Sequence, residues 1–184
     1  MTDRIILGID PGSNITGYGI IHLRNKSLQL VTAGVFDVSN EEDHFSKLQL
    51  IFRGVVKLIE DFHPDEFAVE EPFYGKNVQS MLKLGRAQGV AIAAALHRNL
   101  PVTGYSPRKV KQSVTGKGSA SKEQVAEMVQ RLLDFDKNLY FEDTTDALAV
   151  AVCHSFQGKG LSSGGSENYS GWKSFIQQNP ERAL

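Results

Sequence analysis

The 184-residue chain has a single cysteine, Cys153, and so cannot close an internal disulfide. Its fold must rest on a core, which fits a reducing, cytoplasmic setting. Cys153 follows an Ala-Val-Ala-Val run and reads as a small buried hydrophobe. No stretch approaches the ~20 apolar residues of a membrane-spanning helix, which excludes a helical membrane protein. The N-terminus lacks a basic region followed by an apolar block and a small-residue cleavage site, so no secretory signal is expected. The five histidines form no cluster with each other or with the cysteine, which argues against zinc.

One further absence is local. Residues 72–122 contain no Asp or Glu but hold nine cations: Lys76, Lys83, Arg86, Arg98, Arg108, Lys109, Lys111, Lys117 and Lys122. The remainder carries 11 basic and 21 acidic residues, a net of −10 inside a chain whose total is −1. A one-signed block of this length is a candidate surface for a polyanion. The alternative is a solvated face whose acidic complement lies elsewhere in the fold.

What is present is organised around Ile5 to Ile21. Branched aliphatics flank Asp10-Pro11-Gly12, giving a strand, a turn and a second strand, with Gly17 read as further turn punctuation. Asp10 stands where the first strand stops. Strands are expected over residues 4–10, 16–24 and 28–37, joined by short links into an antiparallel meander. Apolar residues at helical spacing predict a helix over 42–62, ended by His63-Pro64. A short strand over 66–71 follows; after a helical crossover it should run parallel to the first. Its end would bring Glu70 or Glu71 beside Asp10, and alternation alone does not choose between them.

Residues 77–98 predict a helix rich in Gly and Ala, able to let another backbone approach closely. A strand over 100–105 leads to Ser106-Pro107, a good helix start. Gly116-Lys117 fails as a phosphate loop, since neither Ser nor Thr follows the lysine and no strand precedes it. Ser121 and Gln124 match a capping box for a helix to Leu133. The last firm helix, 143–156, is apolar nearly all round and should be buried. Asp143 and Asp146 share a face of its first turn. Helix-dipole and capping effects alone would explain such a pair. Residues 158–171 are rich in Gly and Ser and read as a linker after a domain spanning 1–157, with a tail over 172–184 in which Trp172, Phe175 and Ile176 stand at helical spacing.

Three or four carboxylates meeting at one place would repel and hold raised pKa values unless divalent cations join them. Hard oxygen donors favour magnesium, with manganese as a substitute. Two such ions can activate water and stabilise the leaving oxygen of an in-line phosphodiester attack. The chain therefore reads as a two-metal nuclease on an α/β domain.

At this point it resembles the RuvC family of bacterial Holliday-junction resolvases over roughly residues 4–156. The resemblance is carried by Leu7 to Gly12 with Thr16 to Gly19, Phe67 to Glu70 with Phe73, Leu82 to Gly89, Val110 to Gln112, Gly116 to Ala120 with Lys122, and Asp143 to Ala149. It implies an RNase H-like fold with a five-stranded mixed sheet, its first three strands antiparallel and the rest parallel, flanked by helices. It implies Asp10, Glu70, Asp143 and Asp146 as catalytic and metal-holding acids, choosing Glu70 over Glu71. It implies a homodimer that cuts a four-way DNA junction and works with a branch-migration complex of the RuvA and RuvB type. Phe73, Lys76, Lys83, Arg86, Arg108, Lys111, Lys117 and Lys122 are the expected DNA contacts, with Phe73 stacking on bases unless it is a core aromatic. The helix over 77–98 is the expected dimer interface. Three alternatives stand beside this reading. A sugar-kinase or heat-shock ATPase would need a second domain and a second phosphate turn. A nuclease of the same fold with another substrate, or a non-catalytic junction-binding module, would share most of these features.

Overall fold

A computed structural model of the chain describes residues 3–72, 77–135 and 142–157. The expected contacts Phe73 and Lys76, the linker over 158–171 and the tail over 172–184 lie outside the described residues. Ten elements follow in order: β1 (Asp3–Asp10), β2 (Ile15–Arg24), β3 (Ser27–Asp37), α1 (His44–Phe62), β4 (Glu66–Glu70), α2 (Val78–His97), β5 (Val102–Tyr105), α3 (Pro107–Thr115), α4 (Lys122–Leu133) and α5 (Glu142–Ser155).

The strands form one sheet in the order β3-β2-β1-β4-β5. The first three pair antiparallel and β4 adds in parallel, as the link lengths predict, and β5 adds in parallel, as the resemblance implies. Asp65 fixes the start of β4 against β1: its carboxylate accepts from Ile5 N at 2.7 Å and its own N–H donates to Ile5 O at 2.8 Å. At the sheet edge, pairing slips between Ile20 and Ile21, so Val31 of β3 has no partner in register. Such a bulge twists an exposed edge away from further pairing.

Helix starts follow local chemistry. Asp43 caps α1, Asn77 caps α2 and Ser106 caps α3 ahead of Pro107. Ser121 and Gln124 complete the expected capping box of α4.

Two apolar clusters occupy the two faces of the sheet. Leu7, Ile9, Ile20, Phe67 and Val69 pack against α1 and α2. Ile6, Ile21 and Ala68 pack with α3, α4 and α5 on the other face. Residues 147–153 of α5 are all at most 1 % exposed, so this helix is sandwiched between the sheet and α3 and α4. Gly17, inside the expected strand over 16–24, lies in β2 opposite Asp10. Gly8 pairs with Gly19 on the same face. A Cβ on Gly8 would lie 2.8 Å from Ala151 Cβ, one on Gly19 2.8 Å from Leu148 Cγ, and one on Gly17 would collide with the Asp143 carbonyl oxygen. These strand glycines are the seat of α5.

At the far end of this face a buried polar chain ties sheet to helix. Tyr105 Oη lies 2.7 Å from His154 Nδ1, and His154 Nε2 lies 3.1 Å from Glu66 Oε2. Arg4 Nη1 donates to both Glu66 oxygens, at 3.1 and 2.8 Å. Burial holds His154 below its ordinary pKa. The neutral ring then donates to the carboxylate and accepts from the phenol, which fits every partner in the chain.

Candidate active site

Alternation of side chains places Asp10 on the same face as Gly8, and Glu70 on the same face as Ala68, both toward α5. Glu71 falls on the other face, over Gly104. The sheet geometry thus separates the two glutamates that sequence alternation left open. The turn after Asp10 is closed by Thr16, a fully buried residue whose Oγ1 donates to Gly12 O at 3.0 Å and accepts from Gly12 N at 3.3 Å. This leaves the Asp10 carboxylate standing at the strand end.

The glycine seat draws the first turn of α5 down to the same point. Asp10, Glu70 and Asp146 line one cleft of about 250 Å³ together with Lys111 of α3 and Lys122 of α4. A smaller cleft of about 160 Å³ adjoins it, shares Asp10 and Glu70, and is walled by Glu71 and by Leu84 of α2. Asp143 stands one turn before Asp146, near enough to push the pKa of Asp10 upward. Burial is the largest cause of that rise, to about 8, followed by the charges of Glu70 and Asp146. Glu70 is pushed to about 7, again by burial first and Asp146 second.

A cation of the chain itself meets the acids: Lys122 Nζ donates to Asp146 Oδ2 at 2.7 Å, and this bond raises the lysine's own pKa. Among the described residues, no group of three or more His, Cys, Asp or Glu is drawn together as a finished metal cage. The donor chemistry nonetheless fits a hard divalent cation. Carboxylate oxygens from two strand ends and a helix start face a cleft in which burial first, and the neighbouring acids second, raise the pKa of Asp10 to about 8 and of Glu70 to about 7, a setting that a hard cation relieves.

The remaining expected contacts spread further. Arg108 and Lys117 are exposed on α3 and the loop after it. Lys117 lines a separate groove with Arg131 of α4, a cation that motif reading passed over. Lys83 and Arg86 are exposed on α2 and line neither cleft. The residues missed from sequence are Gly8, Gly17 and Gly19, whose signal was available as glycine inside a strand pattern. Leu84 and Pro107 also line the site and carry no signal of their own.

Comparison with known proteins agrees with this architecture. The family model for crossover junction endodeoxyribonuclease RuvC matches residues 6–154. The chain is similar to the RuvC of Cytophaga hutchinsonii, with 53 % identity over 98 % of this chain and 88 % of the relative. It is 52 % identical to that of Bacteroides fragilis over 98 % of this chain and 96 % of the relative. Among solved structures, Thermus thermophilus RuvC in complex with a Holliday junction substrate superposes with a TM-score of 0.78 and 32 % identity, covering 83 % of this chain and 93 % of that one. A yeast mitochondrial Holliday junction resolvase, at 17 % identity and a TM-score of 0.59, shares the fold. A match that spans almost the whole described domain, together with acids at the strand ends and the start of α5, assigns the chain to the RuvC family of crossover junction endodeoxyribonucleases.

Proposed function

We propose that this enzyme resolves four-way DNA junctions by paired, symmetric, metal-dependent hydrolysis of two strands, in recombination and repair. The observation that carries the reading is the cleft shared by Asp10, Glu70 and Asp146, where burial and mutual repulsion favour a divalent cation beside Lys111 and Lys122. Bound magnesium, as two ions per site with manganese as a substitute, would activate water and neutralise the leaving oxygen. Asp10, at the meeting point of sheet and helix, would hold the metals, with Glu70, Asp143 and Asp146 supplying further oxygen donors. Lys111 and Lys122 hold phosphate oxygens near the cut, and Lys122 exchanges its contact with Asp146 for a contact with the backbone.

The acid-free block delivers the DNA, with Arg108 and Lys117 extending the track from the cleft and Lys76, Lys83 and Arg86 contacting more distant backbone. Phe73 stacks on bases at the crossover. The partner in the homodimer docks on α2. Val78, Leu82 and Leu96 are 68, 51 and 56 % exposed on this helix, and Gly85 and Gly89 have open space around them. These five positions recur on one face, a stripe suited to close two-fold packing. Residues 1–157 form the nuclease domain, and 158–171 link it to the tail. The family reading adds a cytoplasmic location and a branch-migration complex of the RuvA and RuvB type. Among the described residues no helix is long and apolar enough to cross a membrane.

The test compares wild type and Asp10→Asn on synthetic four-way junctions, with linear duplex as control. Wild type should make paired symmetric nicks in the junction alone. The variant should lose about 10³-fold or more in cleavage rate while still binding the junction. Undiminished cutting by Asp10→Asn would sink the metal-site assignment, and equal cutting of linear duplex would point to a related nuclease with another substrate.

A further inference from the structure

The helix α2 has a second face. Leu84 and Gln88 lie one turn apart on it, toward the end of β4. Leu84 walls the smaller cleft with Asp10 and Glu70. Gln88 is half-buried, and its Nε2 donates to the backbone carbonyl of Glu70 at 3.2 Å.

That carbonyl stands where the sheet's own ladder gives out. Glu70 is the last residue of β4, and the bond from Glu71 N to Tyr105 O, 2.9 Å, continues the pairing just beyond it. Both neighbouring strands then run into proline, at Pro11 after β1 and at Pro107 after β5, and proline offers no N–H for further pairing. A side chain from a helix therefore finishes the backbone around a carboxylate whose direction matters.

We infer that Gln88 is a positioning residue for Glu70: its amide ties α2 to the strand end and fixes the angle at which the Glu70 carboxylate enters the cleft. The inference rests on the metal-binding reading of Asp10 and Glu70 given above. Gln88 lines neither cleft. It acts through the peptide that carries Glu70, and it does so from the helix whose outer face carries the self-association stripe.

Two variants separate the hydrogen bond from simple packing. Gln88→Met keeps length and bulk but has no donor, whereas Gln88→Ala removes both. Three quantities are measured on the full chain. They are Mn²⁺ affinity without DNA by titration calorimetry, single-turnover cleavage at saturating junction, and the melting temperature. Both variants should bind Mn²⁺ about fivefold more weakly, the size of one net hydrogen bond, and cleave more slowly to a similar degree. Junction affinity should stay at the wild-type value, and the Met variant should melt within about 2 °C of wild type. If Gln88→Met binds Mn²⁺ and cuts like wild type while Gln88→Ala does not, the residue serves packing alone and the inference is overturned. Wild-type Mn²⁺ binding that Asp10→Asn abolishes is the reference. Its absence would overturn the metal-site reading itself, an outcome distinct from unchanged behaviour of the Gln88 variants.

Discussion

The two faces of the sheet are built by opposite means. Toward α1 and α2 the strands present Leu7, Ile9, Ile20, Phe67 and Val69, all at most 1 % exposed, which fill the space between layers. Toward α5 the same strands present Gly8, Gly17, Gly19 and Ala68, and the helix backbone comes down onto them. One face is made of side chains and supplies apolar burial, the main favourable term in folding. The other keeps Ile6 and Ile21 in an apolar cluster of its own but gives up bulk at these four positions, because only a bare patch lets the first turn of α5 reach Asp10. Both faces bury apolar side chains, and only this one also carries the close approach that shapes the site.

The comparison can be broken or sharpened in three ways. The largest effect belongs to the filled face. Phe67→Ala leaves a cavity under α1 and α2 and should cost about 3–5 kcal/mol of stability by urea denaturation. Its cleavage rate per folded molecule should stay near wild type, and a large loss of rate in the folded protein would show that the faces are not separate. Next comes Gly17→Ala on the bare face. One methyl group against the Asp143 carbonyl must lift the start of α5. Cleavage should fall about 10²-fold, as expected for misplacement of a catalytic group by an ångström. Junction affinity in a gel-shift assay should be kept, and normal cleavage would refute the seat.

The smallest effect is a pH slope confined to the bare face. In the metal-free protein Asp10 and Glu70 have pKa values raised to about 8 and about 7. Between the ordinary carboxylate range near 4 and about pH 8, the folded chain holds protons that the unfolded chain releases. Stability is therefore lost as pH rises through that window. Thermal melts at pH 5, 7 and 9 in chelator should decline stepwise, with the fall complete near pH 8. Excess magnesium should flatten the decline, and Phe67→Ala should retain it.

Much of this was readable from sequence, and each gap has a physical cause. Asp10 could be read because a charge at the end of an apolar strand is conspicuous. The strand order could be read because short links force antiparallel neighbours and a helix between strands allows parallel ones. Glu70 against Glu71 could not be decided from residues alone, since alternation fixes relative faces but does not say which face the last helix will cover. The contact of Gly17 with α5 is not legible in sequence, because glycine serves both turns and close contacts and sequence does not distinguish them. The pairing of Lys122 with Asp146 depends on how α4 packs against α5, which no local pattern encodes. Lys83 and Arg86 belong to the acid-free block by composition, yet the fold sets them on the outside of α2. Charge along a chain gives the sign of a surface and not its location.

The position of α5 has a consequence for how the enzyme comes into being. All five strands, with Asp10 and Glu70 at their ends, and both lysines of the cleft precede this helix in the chain. A ribosome releases the chain from its N-terminus, so the sheet emerges before the segment that carries Asp143 and Asp146. Until that last helix slides onto its glycine seat the nascent protein has a scaffold and half a set of acids. In the proposed site, Asp10 and Glu70 are therefore made before Asp143 and Asp146, and the four meet only in the event that closes the core.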